Sequence, residues 1–467
     1  MPAILSKTET FASLPPVWPV ELKSRVRDWI AAHPQHKLIV LDDDPTGTQT
    51  VQDVPVLTVW DVATLRSEFA ESGPCFYILT NTRSMVAEVA KAVNREIARN
   101  LREAADGRPF TLVSRSDSTL RGHFPLETDV LAGELGPFDA TLLIPYFEAG
   151  GRYTLNDVHY VAEGDQLVPA AETPFARDAV FGYQNSHLPS WVEEKTKGRV
   201  KAGEVSSITL ELIRRGGPDE VRKCLGGLPA GSVCIANAAA LEDIDVLAVA
   251  IQESGRRFLI RSAAQIVAGM IASPPSQGQL ACSPTVTPAA GAPLIVVGSY
   301  VPKTTGQLTH LLTNTDIARI ELRVASLLDP HLRSTAISEA LAQLHTALRA
   351  RRGVVIYTSR ELVTGSDAAQ NLDIGNTVSA ALVEIVQRLE IRPSALVAKG
   401  GITSSDLATK GLNVRRAIVL GQILPGVPMW KLGAETRFPD MPYIVFPGNV
   451  GGPEALTQIC DSLNSQT

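Results

Sequence analysis

The chain has 467 residues, a length that predicts two or three domains rather than a single core. Hydrophobic residues make up 45% and charged residues 20% of the sequence, which is typical of a soluble globular protein, and the net charge of -6 gives no basic footprint for nucleic acid. The five cysteines are scattered and form no Cys-x-x-Cys pair, which argues against a disulfide framework or a zinc site. There is no signal-like amino-terminal segment, and no apolar run approaches the roughly 20 residues needed to cross a bilayer. We therefore expect a cytoplasmic protein with small-molecule partners, and neither nucleic acid nor a membrane among them.

Short apolar runs alternate with helix-like segments along most of the chain. The runs in the first part are "KLIVLDD", "CFYILTNT", "FTLVSRS", "ATLLIPYF" and "GSVCIANA". Those in the second part are "PLIVVGSY", "GVVIYTS", "SALVAKGG" and "YIVFPGN". This alternation predicts an α/β protein built from two doubly wound domains, whose mostly parallel sheets face each other across a cleft.

The boundary between the two domains is predicted by a change of composition. The stretch "SPPSQGQLACSPTVTPAAGAP" is rich in Pro, Ser, Ala and Gly and carries no charge, which is typical of a linker. We place the first domain at 1–272, the linker at 273–292 and the second domain at 293–467. Within the first domain the alternation breaks down near 146–197, which predicts a loop-rich hairpin insertion of functional importance.

The first apolar run leads into three adjacent carboxylates, in "KLIVLDDDPTGTQTV". The run reads as a buried strand, so Asp42, Asp43 and Asp44 are expected at its carboxyl end, where open α/β sheets bind ligands. A purely structural interpretation is that one aspartate caps a helix or closes an Asx-turn while the others face water. Three neighbouring carboxylates repel one another, however, and this favours a cation or a donor-rich substrate beside them.

Three chemistries could use this acidic loop. A calcium loop fits the spacing of Asp42, Asp44, Gly47 and Asp53, but an EF-hand needs a preceding helix and a Glu at its last position. A haloacid-dehalogenase-type phosphatase would use Asp42 as the nucleophile, followed by Asp44 and Thr46. A kinase would use one aspartate to accept the proton of a substrate hydroxyl while its neighbours help to hold Mg²⁺. The loop by itself does not decide between the phosphatase and the kinase.

Two further runs of the first domain end in residues that suit a hydroxy acid. They are Asn81, Thr82 and Arg83 after "YIL", and Asp117, Ser118, Thr119 and Arg121 in "LVSRSDSTLRGH". A guanidinium group matches a carboxylate with two parallel hydrogen bonds, and hydroxyls beside an aspartate suit a polyol. Each arginine taken alone is as well explained as a solvated surface residue.

The second domain offers glycine-rich turns after its runs. They occur at Gly298 and Ser299, at Gly400 and Gly401, and at Gly448, Gly451 and Gly452. Glycine before a helix leaves backbone N–H groups free to bind phosphate, although a single such turn is equally a helix C-cap. Neither the P-loop pattern nor a Gly-x-Gly-x-x-Gly pattern is present, so the predicted phosphate site is of another kind.

With these residues assembled, the chain resembles the four-carbon acid sugar kinase family, which includes threonate, erythronate and 3-oxo-tetronate kinases. The resemblance covers nearly the whole chain. Asp43 to Gly47 match the family's Asp-Asp-x-Thr-Gly motif, and Asp117 to Gly122 match its Asp-Ser-Thr-Leu-Arg-Gly block. In the second domain, Gly298 with Ser299, Gly400 to Thr403, and Pro447 to Asn449 are similar to the family's three ATP-binding turns.

The sequence also departs from the family's pattern. Thr48 stands where Ala is common, Asp42 is an additional aspartate before the matching pair, and Ile402 replaces a glutamate of the Gly-Gly-Glu-Thr loop. These differences bear on the choice of substrate more than on the reaction.

The resemblance implies an ATP-dependent, Mg²⁺-requiring kinase of a small acid sugar. Asp44, or failing it Asp43, would be the catalytic base, and Arg83 and Arg121 would bind the substrate carboxylate. The implied substrate-binding residues are Arg83, Asp117, Ser118, Thr119, Arg121 and Gly122. The implied ATP-binding residues are Ser299, Gly400, Gly401, Ile402, Thr403 and Gly448. No metal ligand is assigned, a homodimer is one candidate assembly, and the alternatives are the phosphatase using Asp42 and Asp44 or a non-catalytic acid-sugar sensor.

Overall fold

The computed structural model describes residues 2–274, 291–360, 363, 368–448 and 450–464. The chain divides into two compact units, Met1–Pro275 and Ser276–Thr467. Most of the predicted linker 273–292 lies outside the described residues. Each unit is an α/β structure with a mostly parallel sheet, which confirms the predicted α/β class and the two-domain organisation.

The first unit contains a parallel sheet and a smaller antiparallel one. Its strands are β1 (Leu5–Ser6), β2 (Lys37–Asp42), β3 (Pro55–Leu57), β4 (Cys75–Leu79), β5 (Phe110–Arg115), β6 (Ala140–Ile144), β7 (Arg152–Leu155), β8 (Val158–Glu163), β9 (Gln166–Pro169), β10 (Ser206–Ile208), β11 (Ser232–Ala236) and β12 (Phe258–Ser262). Its helices are α1 (Lys7–Ser13), α2 (Lys23–Ala32), α3 (Val62–Ala70), α4 (Ala87–Ala105), α5 (Leu126–Leu135), α6 (Leu188–Lys195), α7 (Gly217–Gly226), α8 (Leu241–Glu253) and α9 (Gln265–Met270).

The parallel sheet of this unit has the strand order β10-β11-β6-β12-β5-β2-β4-β3. Strand β2 is buried along its whole length because its apolar residues pack on both faces of the sheet. Ile39 and Leu41 belong to a core cluster that also includes Ile97 and Leu101 of α4. The chain places β4 on one side of β2 and β5 on the other, and such a reversal of strand order opens a crevice at the carboxyl edge.

The predicted insertion forms most of the antiparallel sheet, whose order is β1-β9-β8-β7. Strands β7 and β8 are joined by Asn156 and Asp157, which both have positive φ angles, as two-residue hairpin turns require. The amino-terminal strand β1 pairs with β9 and completes the sheet, a pairing that the sequence did not predict.

The second unit has one mixed sheet. Its strands are β13 (Leu294–Val297), β14 (Ala318–Leu322), β15 (Val354–Thr358), β16 (Leu396–Lys399), β17 (Arg416–Leu424), β18 (Val427–Leu432) and β19 (Pro442–Phe446). Its helices are α10 (Pro302–Asn314), α11 (Val324–Leu328), α12 (Arg333–Arg349), α13 (Ala368–Gln387), α14 (Gly401–Asp406) and α15 (Ala455–Asn464). The strand order is β17-β18-β19-β16-β13-β15-β14, with β17 and β18 antiparallel and the other five parallel.

Each apolar run named in the sequence contains a strand of one of the two units, except that β19 begins at Pro442, just before its run. Within the second unit, β13 lies between β15 and β16, and β19 follows on the far side of β16. The loops that leave β13, β16 and β19 therefore emerge side by side at one edge of the sheet. Among the described helices, none has both the length and the apolar character that crossing a membrane requires.

Candidate active site

The acidic loop leaves the carboxyl end of β2 and turns at once into a short 3-10 helix, Pro45–Thr50. Asp44 is the N-cap of this helix, and its Oδ1 accepts hydrogen bonds from the backbone N–H of Thr46 at 2.9 Å and from the Thr46 hydroxyl. The structure therefore gives one aspartate the capping role that the structural interpretation expected. The other two aspartates do not face water.

Asp42 is buried and paired with Arg115 of β5, its partner in the strand register. Arg115 Nη1 donates to Asp42 Oδ1 at 2.9 Å, while Asp42 Oδ2 has no hydrogen-bond partner. A Cβ atom on Gly47 would overlap this carboxylate, so the glycine is required for the loop to close over it. Burial raises the pKa of Asp42 to about 7.

Asp43 is held from two directions. Arg83 donates to its carboxylate through Nε at 3.2 Å and through Nη2, and Ser116 Oγ donates to Asp43 Oδ2 at 2.6 Å. Its side chain is only 2% exposed. These donors fix the position of the carboxylate between β2, β5 and the loop after β4.

Asp44 is the most accessible of the three aspartates, with 22% of its side chain exposed. Its Oδ2 lies 3.5 Å from Arg83 Nη1. Burial raises the pKa of Asp44, but the charges of Arg83 and Arg115 and the hydrogen bonds from Thr46 outweigh burial, and the net effect lowers the pKa. Asp44 is therefore ionised at neutral pH and can accept a proton from a group that approaches it.

The Asp-Ser-Thr-Leu-Arg-Gly loop follows β5 and is internally paired. Arg121 Nε donates to Asp117 Oδ2 at 2.7 Å, and the Thr119 hydroxyl also donates to Asp117. Burial raises the pKa of Asp117, but the charges of Arg83 and Arg121 outweigh it and lower the pKa well below its usual range. Arg83 and Arg121, the predicted partners of a substrate carboxylate, thus each have a carboxylate of the protein beside them.

Arg121 keeps part of its guanidinium group accessible. Its side chain is 25% exposed, Nη1 lies 3.7 Å from Asp178, and the group stacks 5.2 Å from the ring centre of Phe175. Asp117 thus engages Nε and Asp178 lies beside Nη1, so two carboxylates of the protein already flank this guanidinium group.

Gly122 closes the loop with a φ angle of 128°, which favours glycine. A Cβ atom there would overlap Ser116 Oγ and lie 2.8 Å from Arg261 Nη2. The structure therefore brings together the loops that carry the predicted substrate residues. Asp43 is bonded to the loop after β4 and to Ser116 at the end of β5, and Ser116 Oγ also lies 3.0 Å from the carbonyl oxygen of Arg121.

Several residues of this site were missed by sequence reasoning. A small pocket is lined by residues that include Ser116, Asp117, Arg121, Trp191, Arg261 and Ser262. Arg261 and Ser262 end β12, and Arg261 Nη1 donates to Glu127 Oε2 and to Ser114 Oγ, both at 2.7 Å. The available signal was "FLIRS", an apolar run that ends in polar residues like the others.

In the second unit, the loops after β13, β16 and β19 are joined by specific contacts. Thr304 Oγ1 donates to the carbonyl of Gly448 at 2.9 Å and lies 3.3 Å from Ser299 Oγ, from which it can accept a hydrogen bond. Gly400 has a φ angle of 121°, and a Cβ atom there would lie 3.1 Å from Ser299 Cβ. Ser299, Gly400 and Gly448, three of the predicted ATP-binding residues, therefore lie close together.

The other predicted ATP-binding residues follow Gly400. Gly401 begins α14, and the Thr403 hydroxyl lies where a Cβ atom on Gly298 would be. Ile402 is 62% exposed, which is unusual for a large apolar side chain. Asn449, named in the family's third turn, lies outside the described residues.

Lys399 is a buried residue of this region that sequence reasoning missed. Its Nζ donates to the carbonyl of Pro447 at 2.5 Å and lies 3.6 Å from the ring centre of Phe446. Burial lowers its pKa to about 7. The backbone N–H of Ser299 donates to the Lys399 carbonyl at 3.4 Å, so this residue links all three loops.

No ready-made metal centre is visible in the part of the chain that the structure describes, where no group of three or more His, Cys, Asp and Glu side chains could hold an ion. The carboxylates of the acidic loop are bonded to arginine and hydroxyl groups instead. The one partnerless oxygen among them, Asp42 Oδ2, is enclosed against Gly47. These residues do not fit a metal ion held by the protein alone.

Comparison with known families assigns both units. The family model of a sugar-binding N-terminal domain matches residues 38–270, and that of a nucleotide-binding C-terminal domain matches residues 294–456. A D-threonate kinase from Bordetella bronchiseptica is 27% identical over 399 residues, which span 83% of this chain and 86% of the relative.

Solved structures share the fold. Haemophilus influenzae protein HI1011 superposes with a TM-score of 0.65 at 17% identity, over 91% of this chain and 100% of that protein. A proposed tRNA synthase from Salmonella typhimurium LT2 superposes with a TM-score of 0.67 at 17% identity, over 90% of this chain and 98% of that protein. The two domain models together cover most of the sequence, and the chain belongs to the four-carbon acid sugar kinase family and is an ATP-dependent kinase.

Proposed function

We propose that this chain transfers the terminal phosphoryl group of ATP to a hydroxyl group of a four-carbon acid sugar of the threonate, erythronate or 3-oxo-tetronate type. The first unit would bind the acid and the second would bind ATP. The matches to a sugar-binding and a nucleotide-binding domain support this division, and the similarity to a D-threonate kinase supports the substrate class.

The proposed base is Asp44, and its accessibility is the observation that carries the assignment. Asp42 and Asp43 are fully enclosed and bonded to arginines, whereas Asp44 is partly exposed and has a lowered pKa. An ionised carboxylate that can be reached by a substrate hydroxyl is what proton acceptance during phosphoryl transfer requires. Asp43 would act indirectly, because it fixes Arg83 beside Asp44.

The acid's carboxylate is proposed to bind at Arg121 and Arg83. The partly exposed guanidinium group of Arg121 would donate to this carboxylate, and the Nη1 atom of Arg83 lies near Asp44. Asp117, Ser118 and Thr119 would then orient the hydroxyl groups of the substrate. Gly122 leaves room for the loop to close against β5.

ATP is proposed to bind at Ser299, Gly400 to Thr403 and Gly448. Backbone N–H groups at such turns can approach phosphate oxygens closely where a Cβ atom would interfere. Mg²⁺ would arrive with the nucleotide, held mainly by phosphate oxygens and water, as is usual for this ion, and it would neutralise phosphate charge. We assign it no protein ligand.

The phosphatase alternative receives no support from the geometry of Asp42. That reaction needs a carboxylate oxygen exposed to the phosphorus atom, but Asp42 Oδ1 is bonded to Arg115 and Oδ2 is enclosed against Gly47. With its pKa raised to about 7, Asp42 is also a partly protonated and poor nucleophile at neutral pH.

The cytoplasmic location and the homodimer stay predictions.

Incubation with ATP, Mg²⁺ and a panel of four-carbon acids tests the proposal. We expect ADP release that depends on one or a few of these acids, with much slower release in their absence. Phosphorylated forms of the same acids, incubated without ATP, should release no inorganic phosphate. A protein that binds the acid but never releases ADP would be the sensor, and the kinase proposal would then be wrong.

A further inference from the structure

We infer that the insertion of the first unit positions the Asp117–Gly122 loop for substrate binding, through His159 and Tyr183. The inference rests on the proposed role of this loop in binding the acid sugar. It gives a function to a segment that otherwise contributes only a small antiparallel sheet and helix α6. Neither residue reaches the substrate in this account, so both are positioning residues.

His159, on β8, holds the first part of the loop. Its Nε2 lies 2.7 Å from the carbonyl oxygen of Ser118, and its Nδ1 lies 3.0 Å from the Thr154 hydroxyl on β7. Because a carbonyl oxygen only accepts, Nε2 must carry the hydrogen atom, and Nδ1 then accepts from Thr154. Burial lowers the pKa of His159 to about 4, so the ring is neutral at physiological pH and keeps this arrangement.

Tyr183 holds the next residue of the loop. Its hydroxyl donates to the carbonyl oxygen of Thr119 at 2.8 Å, and the tyrosine is buried. The carbonyl groups of Ser118 and Thr119 are thus bound by two donors of the insertion. Ser116 Oγ, whose hydrogen atom goes to Asp43, lies 3.0 Å from the carbonyl oxygen of Arg121 on the other side of Leu120.

The loop needs this support because its backbone is strained. Leu120, between the two held segments, has a φ angle of 68°, which side chains with a Cβ atom rarely adopt. Such conformations persist when surrounding contacts determine them. Leu120 packs in a cluster with Tyr183 and Trp191 of the insertion, so side-chain packing and carbonyl hydrogen bonds act on the same residues.

The insertion also orients the guanidinium group of Arg121. Phe175 lies beneath it at 5.2 Å and beneath Arg152 at 5.3 Å, and Asp178 lies 3.7 Å from its Nη1. A guanidinium group that is stacked on a ring has fewer orientations to lose when it binds a carboxylate. Loosening the loop should therefore weaken binding of the acid and leave nucleotide binding unchanged.

The test compares His159→Leu, which removes the donor, with His159→Gln, whose amide can donate to the Ser118 carbonyl. Tyr183→Phe is a smaller change that keeps the ring and guards against a folding failure of the leucine variant. Tyr160→Phe is the matched control, since Tyr160 is a buried residue of β8 with no hydrogen bond to this loop in the described structure. All variants are first checked for folding by circular dichroism.

Hydrogen exchange of residues 117–122, measured without ligand, is the first readout. We expect His159→Leu and Tyr183→Phe to speed exchange there about three- to tenfold, as the loss of one hydrogen bond implies, while β5 is unchanged. The Michaelis constant for the acid should rise by a similar factor, with the dissociation constant for ADP unaltered. His159→Gln should restore both values towards wild type, and Tyr160→Phe should change neither.

Unchanged exchange and an unchanged Michaelis constant in folded His159→Leu and Tyr183→Phe variants would overturn the inference. Equal effects in Tyr160→Phe would do the same, because the insertion would then act only through general stability. Failure of the wild-type protein to use any acid would contradict the proposed function instead. The exchange result does not depend on the substrate and still decides whether the insertion positions the loop.

Discussion

Replacing Asp44 by Asn removes the proposed base with little other change to the acidic loop. The amide oxygen of asparagine can accept the same hydrogen bond from the Thr46 N–H, and asparagine is as good an N-cap as aspartate. The side chain keeps its size, and Asp42 and Asp43 keep their own partners. The variant therefore separates proton acceptance from loop structure.

The expected loss of activity is large and the expected loss of stability is small. A positioned general base contributes roughly 10² to 10⁴ in rate, which corresponds to about 3 to 5 kcal/mol of barrier. The ion pair that is lost joins Asp44 to Arg83 at 3.5 Å and is partly exposed to solvent, so it contributes about 1 kcal/mol or less. We expect kcat to fall by at least a hundredfold with a nearly unchanged melting temperature.

Asp43→Asn is the matched comparison, because it changes the neighbouring carboxylate in the same way. Asp43 is buried and bonded to both Arg83 and Ser116, so breaking this pair should cost about 3 to 5 kcal/mol of folding stability. Asp44→Asn should therefore be inactive but stable, whereas Asp43→Asn should be destabilised.

The assay measures kcat at saturating ATP and acid, the dissociation constant for ADP by calorimetry, and thermal unfolding. ADP binding should be the same in wild type and Asp44→Asn, because the proposed nucleotide-binding residues belong to the other unit. A kcat within threefold of wild type would refute the assignment of Asp44. Asp43 would then be the next candidate for the base.

Three further outcomes follow from the geometry. Gly47→Ala should destabilise the protein by about 1 to 3 kcal/mol in chemical denaturation, because the added Cβ atom overlaps the buried carboxylate of Asp42. Gly400→Ala should weaken ADP binding in calorimetry, since its φ angle of 121° and its close approach to Ser299 both disfavour a side chain. Between pH 4 and 6.5 the free energy of unfolding should rise with pH less steeply in His159→Gln than in wild type. Because the pKa of His159 is lowered in the folded protein, its imidazole binds a proton in this pH range only when the chain is unfolded. In wild type this proton binding favours the unfolded chain at the lower pH, and His159→Gln removes that contribution.

Each of these outcomes has its own control. Gly133→Ala, in α5, adds a Cβ atom with no neighbour within 4 Å and should stabilise the protein slightly, so destabilisation by both alanines would undermine the overlap argument. Gly375→Ala in α13 meets open space as well, and it should leave ADP binding unchanged where Gly400→Ala weakens it. Identical pH profiles for His159→Gln and wild type would mean that His159 is not buried in its neutral form.

The sequence was sufficient to predict most strands that carry the site because each is a short and largely buried apolar run. It was insufficient for β12, whose five residues follow Arg256 and Arg257 and already include Arg261. The same strand supplies Ser262, so missing it hid one side of the pocket. Only three consecutive apolar residues, Phe258 to Ile260, belong to this strand, and so short a run gives too weak a pattern to be recognised locally.

The partners of the acidic loop depend on strand register, which local sequence does not encode. Asp42 and Arg115 are far apart in the chain and meet because β2 and β5 are neighbours in the sheet. Arg115 on its own looks like a surface residue, and its burial becomes understandable only with the carboxylate opposite it. The glycine turns were easier to predict, because glycine at a strand end is itself the signal.

The central claim is that the protein transfers a phosphoryl group from ATP to a four-carbon acid. Phosphorus NMR of a reaction with ATP, Mg²⁺ and the acid that best stimulates ADP release tests it most directly. We predict a new phosphomonoester resonance that grows in step with ADP and is absent with Asp44→Asn. ADP that forms with inorganic phosphate alone, and with no phosphorylated acid, would contradict the account.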